Sequence, residues 1–251
     1  MSGKKTRAEI VYLALHQAII EQALAPGSKL PEDIIGAHFG VSRTIVRAAF
    51  ARLSAEGLVD ARPKRTAMVA QPSLEEAKEI FEVRRCLERQ AVRLVIERWA
   101  DRNGSILEGH VRQEQKAAEA GPNAVSIRLA GEFHVKLAEM TGNRLLQRYV
   151  GEVVSRCSLI LALYGRPHSS ECAVNEHREI IAALRAGDSE KAVAIMDRHV
   201  GSVEKRALIQ ERPEAPDIGE VLSRYSESLA AMDSDEVVPL VPAARTRRKS
   251  R

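Results

Sequence analysis

The stretch that decides the fold of the N-terminal part is Phe39-Gly-Val-Ser-Arg-Thr-Ile-Val-Arg-Ala-Ala-Phe-Ala-Arg-Leu-Ser-Ala-Glu-Gly-Leu-Val59. Gly40 ends one short helix, and Ser42 is a good N-cap for a second helix that runs to about Glu56. Gly57 then closes this second helix, because glycine adopts the left-handed conformation without strain. Two short helices joined by a tight, glycine-containing turn predict a helix-turn-helix.

The segments on either side extend this motif. Between Thr6 and Ala23, apolar residues recur every three or four positions, which predicts an amphipathic helix. Downstream, Leu58-Val-Asp-Ala61 and Thr66-Ala-Met-Val-Ala70 are typical of two short strands, with Arg62-Pro-Lys-Arg65 as a basic tip between them. The sequence therefore predicts a winged helix-turn-helix over residues 1–70.

The N-terminal seventy residues also carry a basic surplus. They hold ten Lys and Arg against six Asp and Glu, whereas residues 71–210 hold 21 against 20. This asymmetry favours a polyanionic partner for the N-terminal part. On a helical wheel, one arc of the second helix is apolar and faces the core: Val46, Ala49, Phe50 and Leu53. The opposite arc suits the major groove of DNA, with small or hydrogen-bonding side chains: Thr44, Ala48 and Ala51, with Arg47 at its edge. Arg43 sits in the first turn and projects from the helix end.

This region resembles the GntR family of bacterial regulators, through Ala25-Pro-Gly-Ser-Lys-Leu-Pro31 and the stretch from Phe39 to Val59. The resemblance implies that the recognition helix and the wing contact double-stranded DNA. The implied contact residues are Ser42, Arg43, Thr44, Arg47, Lys64 and Arg65. Two positions depart from the family pattern: Asp33 stands where many members carry an arginine that touches DNA, and Thr66 replaces the usual glycine of the wing.

Helical patterns fill the rest of the chain. A capping box of Ser73 and Glu76 opens a helix that continues to about Ala100. Further helical periods follow at about 104–120, 126–141, 144–165, 170–186 and 189–208. The predicted fold class is mainly α: a winged helix-turn-helix followed by an all-helical bundle of six or seven helices. The predicted parts are a DNA-binding domain at 1–70, a linker at 71–72, a helical effector-binding and dimerisation domain at 73–210, and a partly disordered extension at 211–251 with a short helix around 218–232.

Three histidines of the bundle share a helix face with apolar residues: His134, His177 and His199. A single inward histidine is usually a hydrogen-bonded core residue, but three in one bundle favour a transition-metal site for Zn²⁺ or Ni²⁺. The other four histidines are predicted to lie on polar faces or loops without a role: His16, His38, His110 and His168.

The bundle resembles the FCD effector domain of the FadR-type GntR subfamily. The resemblance rests on the segments 79–88, 133–143 and 176–188, with His199 after them. In metal-binding members, an aspartate one turn before the first histidine completes the ligand set, but Ala130 stands there in this chain. Glu132 cannot substitute, because it points about 200° away from His134 on the helix. The resemblance also places Arg84 near the effector cavity. The alternative interpretation is that Arg84 forms a surface or interdomain salt bridge.

Taken together, these patterns predict a ligand-responsive transcription regulator and not an enzyme. We expect a homodimeric repressor that a small carboxylate releases from a palindromic operator, with one divalent metal ion in the helical domain. Two alternatives stay open: a metal-dependent hydrolase that uses the three histidines, and an adaptor whose basic head binds RNA or a protein. No stretch is long and apolar enough for a membrane span, and no apolar signal core follows the N-terminus, so we expect a cytoplasmic protein.

Overall fold

Three helices and a small sheet form the N-terminal part of the computed structural model, which describes residues 6–62, 64–120, 124–164 and 171–208. We call residues 6–70 the head. Its helices are α1 (Arg7–Ile20), α2 (Glu32–Phe39) and α3 (Arg43–Ala55). Its strands are β1 (Lys29–Leu30), β2 (Val59–Asp60) and β3 (Ala67–Val69). The predicted winged helix-turn-helix is confirmed.

The helix ends of the head follow the capping residues that the sequence indicates. Gly40 takes the left-handed conformation after α2 with a φ of 61°, and Gly57 does so after α3 with a φ of 73°. Ser42 is the N-cap residue of α3, as predicted, but its side chain forms no capping hydrogen bond. The register of α3, and with it the face that α3 exposes, is therefore set by the glycine ends and the apolar arc.

The sheet has one strand more than the sequence analysis predicts. Its order is β1-β3-β2, with both pairings antiparallel, and Lys29 and Leu30 of β1 pair with Met68 and Ala67 of β3. A strand of two residues is too short to show an alternating pattern, which explains why it was missed. Its Leu30 is buried in the core of the head.

Six helices follow in the described residues, and we call residues 74–208 the helical part. They are α4 (Leu74–Glu97), α5 (Asp101–Glu119), α6 (Ala124–Met140), α7 (Arg144–Tyr164), α8 (Glu171–Ala186) and α9 (Ser189–Ala207). The capping box that opens α4 is present, with both of its hydrogen bonds. No described helix is both long and apolar enough to cross a membrane. The predicted extension at 211–251, with its helix around 218–232, lies outside the described residues.

Helix α4 organises the helical part, because it packs against both α7 and α9. Its buried stripe recurs every three or four residues and joins a core to which α5, α6, α8 and α9 also contribute. That stripe includes two charged residues, Arg84 and Glu88. The interior of the helical part is thus not purely apolar.

Candidate functional site

The recognition helix α3 divides into a buried and an exposed face, as the wheel predicts. Its apolar arc is buried in the core of the head: Val46, Ala49, Phe50 and Leu53. Arg43, Thr44 and Arg47 are exposed. The exposed face therefore carries two guanidinium groups and a hydroxyl, which are the groups that read base edges in a major groove.

Four of the predicted contact residues line one concave surface between α3 and the wing, which we call the basic cleft. They are Arg43, Arg47, Lys64 and Arg65, and the cleft has a volume of about 790 Å³. Arg62 of the wing lines it as well, although the predicted contact set omits it. Ser42 and Thr44 are exposed nearby but are not part of its wall.

Acidic side chains partly neutralise this cleft. Glu32 accepts a hydrogen bond of 2.9 Å from Nε of Arg47, and Asp33 also lines the surface. Since Arg47 remains 68% exposed, its ion pair with Glu32 can exchange for a phosphate or a base. The wing tip is held in an unusual conformation, because Lys64 has a φ of 62°, a region that favours glycine.

A second candidate site lies inside the helical part. His134 on α6, His177 on α8 and His199 on α9 each offer a ring nitrogen, and these three atoms lie within 4.8 Å of one another. All three side chains are buried. We call them the histidine cluster. The structure thus brings together the three histidines that the sequence analysis singles out.

Each histidine of the cluster is paired with its own carboxylate. The Nδ1 of His177 lies 2.8 Å from Glu114 and the Nδ1 of His199 lies 2.7 Å from Glu176. His134 pairs in the same way with Glu88. The carboxylate partners orient the rings and fix the proton on Nδ1, which leaves the Nε2 lone pairs free to bind a metal ion.

The sequence analysis missed these carboxylates, although two of them carry a signal. Glu88 continues the buried stripe of α4, four residues after Arg84. Glu114 continues the stripe of Leu107 and Val111 on α5. An acidic residue on an apolar helix stripe needs a buried partner. Glu176 gives no such signal, because it stands beside His177 in the sequence but binds His199.

The Nε2 atoms of the cluster fit a cation. Those of His134 and His199 are 3.2 Å apart, and that of His177 is buried without a hydrogen-bond partner among the described groups. When every Nδ1 donates to a carboxylate, these Nε2 atoms are all acceptors, and two lone pairs at this distance repel each other unless a cation lies between them. Imidazole nitrogens are suitable ligands for Zn²⁺ and Ni²⁺.

The protonation of the cluster agrees with this geometry. Burial lowers the pKa of His134 to about 4 and that of His199 to about 3, so both rings are neutral near pH 7. Burial alone would raise the pKa of Glu88, but His134 and Arg84 together hold it below its usual value. Neutral imidazoles beside ionised carboxylates are the state in which histidine binds a metal ion.

A cavity of about 130 Å³ adjoins the cluster and is lined by His134 and His199. Ala130 lies in its wall, so an alanine methyl group stands at the position where the family resemblance implies an aspartate. Glu132 points elsewhere and binds Arg128, as the helix geometry predicts. Among the described residues, the histidine cluster could supply three imidazole ligands to a metal ion.

Arg84 also lines this cavity. It is 4% exposed and pairs with Glu88 at 2.6 Å, so the alternative of a surface or interdomain salt bridge is wrong. The predicted position of His110 on a polar face is also wrong: it is buried, and its Nε2 lies 2.8 Å from the carbonyl oxygen of Leu129. His38 is exposed as expected, and His168 lies outside the described residues.

Helix α7 connects the cavity with the head. On one side it lines the cavity with Val154, Cys157, Ser158 and Leu161. On the other side, Arg156 donates a 2.9 Å hydrogen bond to the carbonyl oxygen of Glu56 at the end of α3, and Leu159 is buried in the core of the head. The Arg156 guanidinium lies so close to Gly57 that a Cβ there would overlap with it.

Two protein families match the chain in consecutive segments. Residues 7–69 match the bacterial regulatory proteins of the gntR family. Residues 79–202 match the FCD domain. The first segment contains the basic cleft, and the second contains the histidine cluster and its cavity.

Similar proteins are bacterial transcription regulators. The uncharacterized HTH-type transcriptional regulator YdhC of Bacillus subtilis is 29% identical over 185 residues, 72% of this chain and 82% of its own length. The probable D-xylose utilization operon transcriptional repressor of Paenarthrobacter nicotinovorans is 29% identical over 184 residues, 73% of this chain and 81% of its own length. Among solved structures, E. coli McbR/YncC shares the fold with a TM-score of 0.72 over 88% of this chain and all of its own, at 21% identity.

Proposed function

The chain belongs to the GntR family of bacterial regulatory proteins and carries an FCD domain, and from this premise we propose that it is a repressor which a small carboxylate releases from its operator. The family consists of DNA-binding transcription regulators and not of enzymes. That one of the similar proteins is named as a probable repressor supports repression as the mode of control. The comparisons give no support to the hydrolase alternative.

The observation that carries the DNA-binding part of the proposal is the basic cleft. Arg43 and Arg47 on α3 face the same concavity as Lys64 and Arg65 on the wing. With the recognition helix in the major groove and the wing at the adjacent phosphates, the two helix arginines and the two wing residues would contact different parts of the DNA. The helix arginines would contact bases, whereas the wing residues would contact the backbone.

We propose a homodimer on a palindromic operator, with half-sites about one helical turn apart. Exposed apolar side chains on two adjacent helices support a protein contact: Val83 on α4, and Leu145 and Tyr149 on α7. Sedimentation analysis tests the dimer, and Leu145→Asp should shift the protein towards the monomer. A wild-type chain that stays monomeric at concentrations that saturate DNA would contradict it.

A divalent metal ion held by His134, His177 and His199 is the proposed cofactor. It would polarise an oxygen atom of a bound carboxylate and so strengthen the binding of an anionic effector. Because Ala130 supplies no carboxylate at this position, the effector itself can occupy the space beside the cluster. Arg84 and Arg206, which line the same cavity, add positive charge for a carboxylate.

Footprinting on the intergenic DNA beside the gene tests the DNA-binding proposal. We expect protection of a palindromic site, with the protected half-sites centred roughly 10 base pairs apart. An unrelated duplex of equal length serves as the control. Failure to protect any site at low salt, where phosphate contacts are strongest, would contradict the proposal.

We also propose that α7 transmits binding at the cavity to the head, because it contacts both. Hydrogen exchange with Zn²⁺ as the probe tests this coupling. In the wild type, saturation with Zn²⁺ should change the protection of α7 and of the end of α3. Arg156→Ala should retain Zn²⁺ binding but lose the change in α3, whereas Arg148→Ala, an exposed residue of the same helix, should behave as the wild type. No change in α3 of the wild type on Zn²⁺ saturation would contradict the proposed route.

A further inference from the structure

One carboxylate oxygen of Glu114, a residue that lines the cavity, has no hydrogen-bond partner among the described residues. Glu114 on α5 is 1% exposed; its Oε2 accepts from Nδ1 of His177, and its Oε1 is buried and unpartnered. Leaving a buried acceptor unpaired costs the desolvation free energy of that oxygen. Folded proteins retain few such atoms, and a bound donor group would satisfy this one.

The surroundings restrict what that group can be. Glu114 lines the same cavity as Arg84, Arg206 and two histidines of the cluster. The carboxylate of an anionic effector is attracted by the arginines and by a metal ion, but it is repelled by Glu114. The part of the effector that approaches Oε1 must therefore be a hydrogen-bond donor and not a second carboxylate.

We propose that Glu114 is a specificity-determining residue which accepts a hydrogen bond from a hydroxyl or ammonium group of the effector. The effector is then a small hydroxy or amino acid, and a plain or an oxo acid is rejected. This inference rests on the proposed carboxylate effector and names its second functional group. The cavity volume of about 130 Å³ suits a molecule of this size, since a cavity of about 150 Å³ holds benzene, which has six heavy atoms.

Three-carbon acids that differ only at C2 provide the test. The full chain, saturated with Zn²⁺, is titrated by calorimetry with lactate, alanine, pyruvate and propionate. The better of lactate and alanine should bind about 10- to 100-fold more tightly than pyruvate and propionate, because neither of these offers a donor at C2. This comparison uses the wild-type protein alone, so it does not depend on the folding of any variant.

Glu114→Gln tests the assignment to this residue. The glutamine oxygen can still accept from His177, while the amide nitrogen replaces the unpaired oxygen by a donor. The preference for lactate over pyruvate should then disappear or reverse. A purely structural role would weaken all four acids equally and leave their ratios unchanged. Glu119→Gln, at an exposed position of the same helix, should retain the wild-type ratios.

The possible failures are distinguishable. If pyruvate and propionate bind the wild type as tightly as lactate and alanine, the inference about Glu114 is overturned while the carboxylate effector stands. If Glu114→Gln keeps the wild-type affinity ratios among the four acids, another residue accepts the hydrogen bond from the effector, and the assignment to Glu114 is overturned. If none of the four acids binds, the proposed effector class fails for molecules of this size, and the inference fails with it.

Discussion

The head and the helical part differ in where their polar and charged side chains lie. All buried polar or charged side chains in the described part of the chain lie in the helical part, whereas the head keeps its charges at the surface. Arg47 of the head pairs with Glu32 while it is 68% exposed. Arg84 of the helical part pairs with Glu88 in a fully buried position. The same kind of ion pair thus occurs both at the surface and in the protein interior.

This difference corresponds to two kinds of binding. Exposed arginines in the basic cleft can exchange their partner for a phosphate or a base, at a cost that depends on salt. The buried groups around the histidine cluster are held in place before any ligand arrives, because each ring has a carboxylate partner. We therefore expect substitutions in the head to change DNA binding, and substitutions in the helical part to change stability and ligand binding.

The largest expected effect comes from breaking the buried ion pair. Glu88→Ala leaves Arg84 without its carboxylate partner in the interior, removes the partner of His134 as well, and should lower the free energy of unfolding by about 3 to 5 kcal/mol. Glu32→Ala makes the corresponding change in the head and should cost less than about 1 kcal/mol. Urea unfolding followed by circular dichroism measures both. Equal losses of unfolding free energy in the two variants would contradict the expected difference between the buried and the exposed ion pair.

The next effect concerns the metal site. His177→Ala removes a ligand and should weaken Zn²⁺ binding by at least about 100-fold, since even changes to groups that orient the ligands cost 10- to 100-fold. Competition with a chromophoric chelator measures the affinity. His38→Ala, at an exposed position of the head, is the control and should bind Zn²⁺ as the wild type does. Unchanged affinity in His177→Ala would remove the cluster as the metal site.

Much of this architecture could be predicted from local patterns. Apolar spacing and the glycines at positions 40 and 57 located the helices of the head, and the capping box located the start of α4. The inward faces of α6, α8 and α9 identified the histidine cluster, because each histidine shares its face with apolar residues.

Other features depend on contacts between residues far apart in the sequence. The pairing of Glu176 with His199 and the hydrogen bond from Arg156 to Glu56 join separate helices, and no local pattern encodes them. Likewise, β1 exists only because β3 pairs with it. The predicted contact residues Ser42 and Thr44 lie outside the wall of the basic cleft for a related reason: the wheel shows which side is exposed but not how the wing closes over it.

A smaller effect is expected in the head. Arg47→Ala should weaken specific DNA binding by about 1 to 3 kcal/mol, through the loss of a base contact, and should change the free energy of unfolding by less than about 1 kcal/mol. Lys64→Ala is the comparison. It should weaken the binding of specific and unrelated duplexes equally, and it should reduce the slope of log affinity against log salt concentration by about one. Fluorescence anisotropy at several salt concentrations separates the two. If Arg47→Ala weakened the binding of specific and unrelated duplexes equally, Arg47 would contact the phosphates and not the bases.

The smallest effect is a pH dependence where the two parts meet. Burial lowers the pKa of His16, which is also influenced by Glu56 and Arg52, and its Nε2 lies 3.4 Å from the hydroxyl of Ser155 on α7. As the pH falls through about 6.5, the unfolded chain takes up a proton that folded His16 resists, so stability is lost at acid pH and is complete above it. His16→Gln should show a smaller decrease in unfolding free energy between pH 7 and 5 than the wild type. An identical decrease would exclude His16 as a contributor.

We propose that the basic cleft reads a defined DNA sequence. This is tested by the affinity of the full chain for the footprinted duplex relative to a scrambled duplex of equal length and composition, measured by anisotropy at one physiological salt concentration. We expect a ratio of at least about 10³ in favour of the footprinted duplex. Equal affinities would contradict it, and would favour a basic head that binds nucleic acid or another partner without reading sequence.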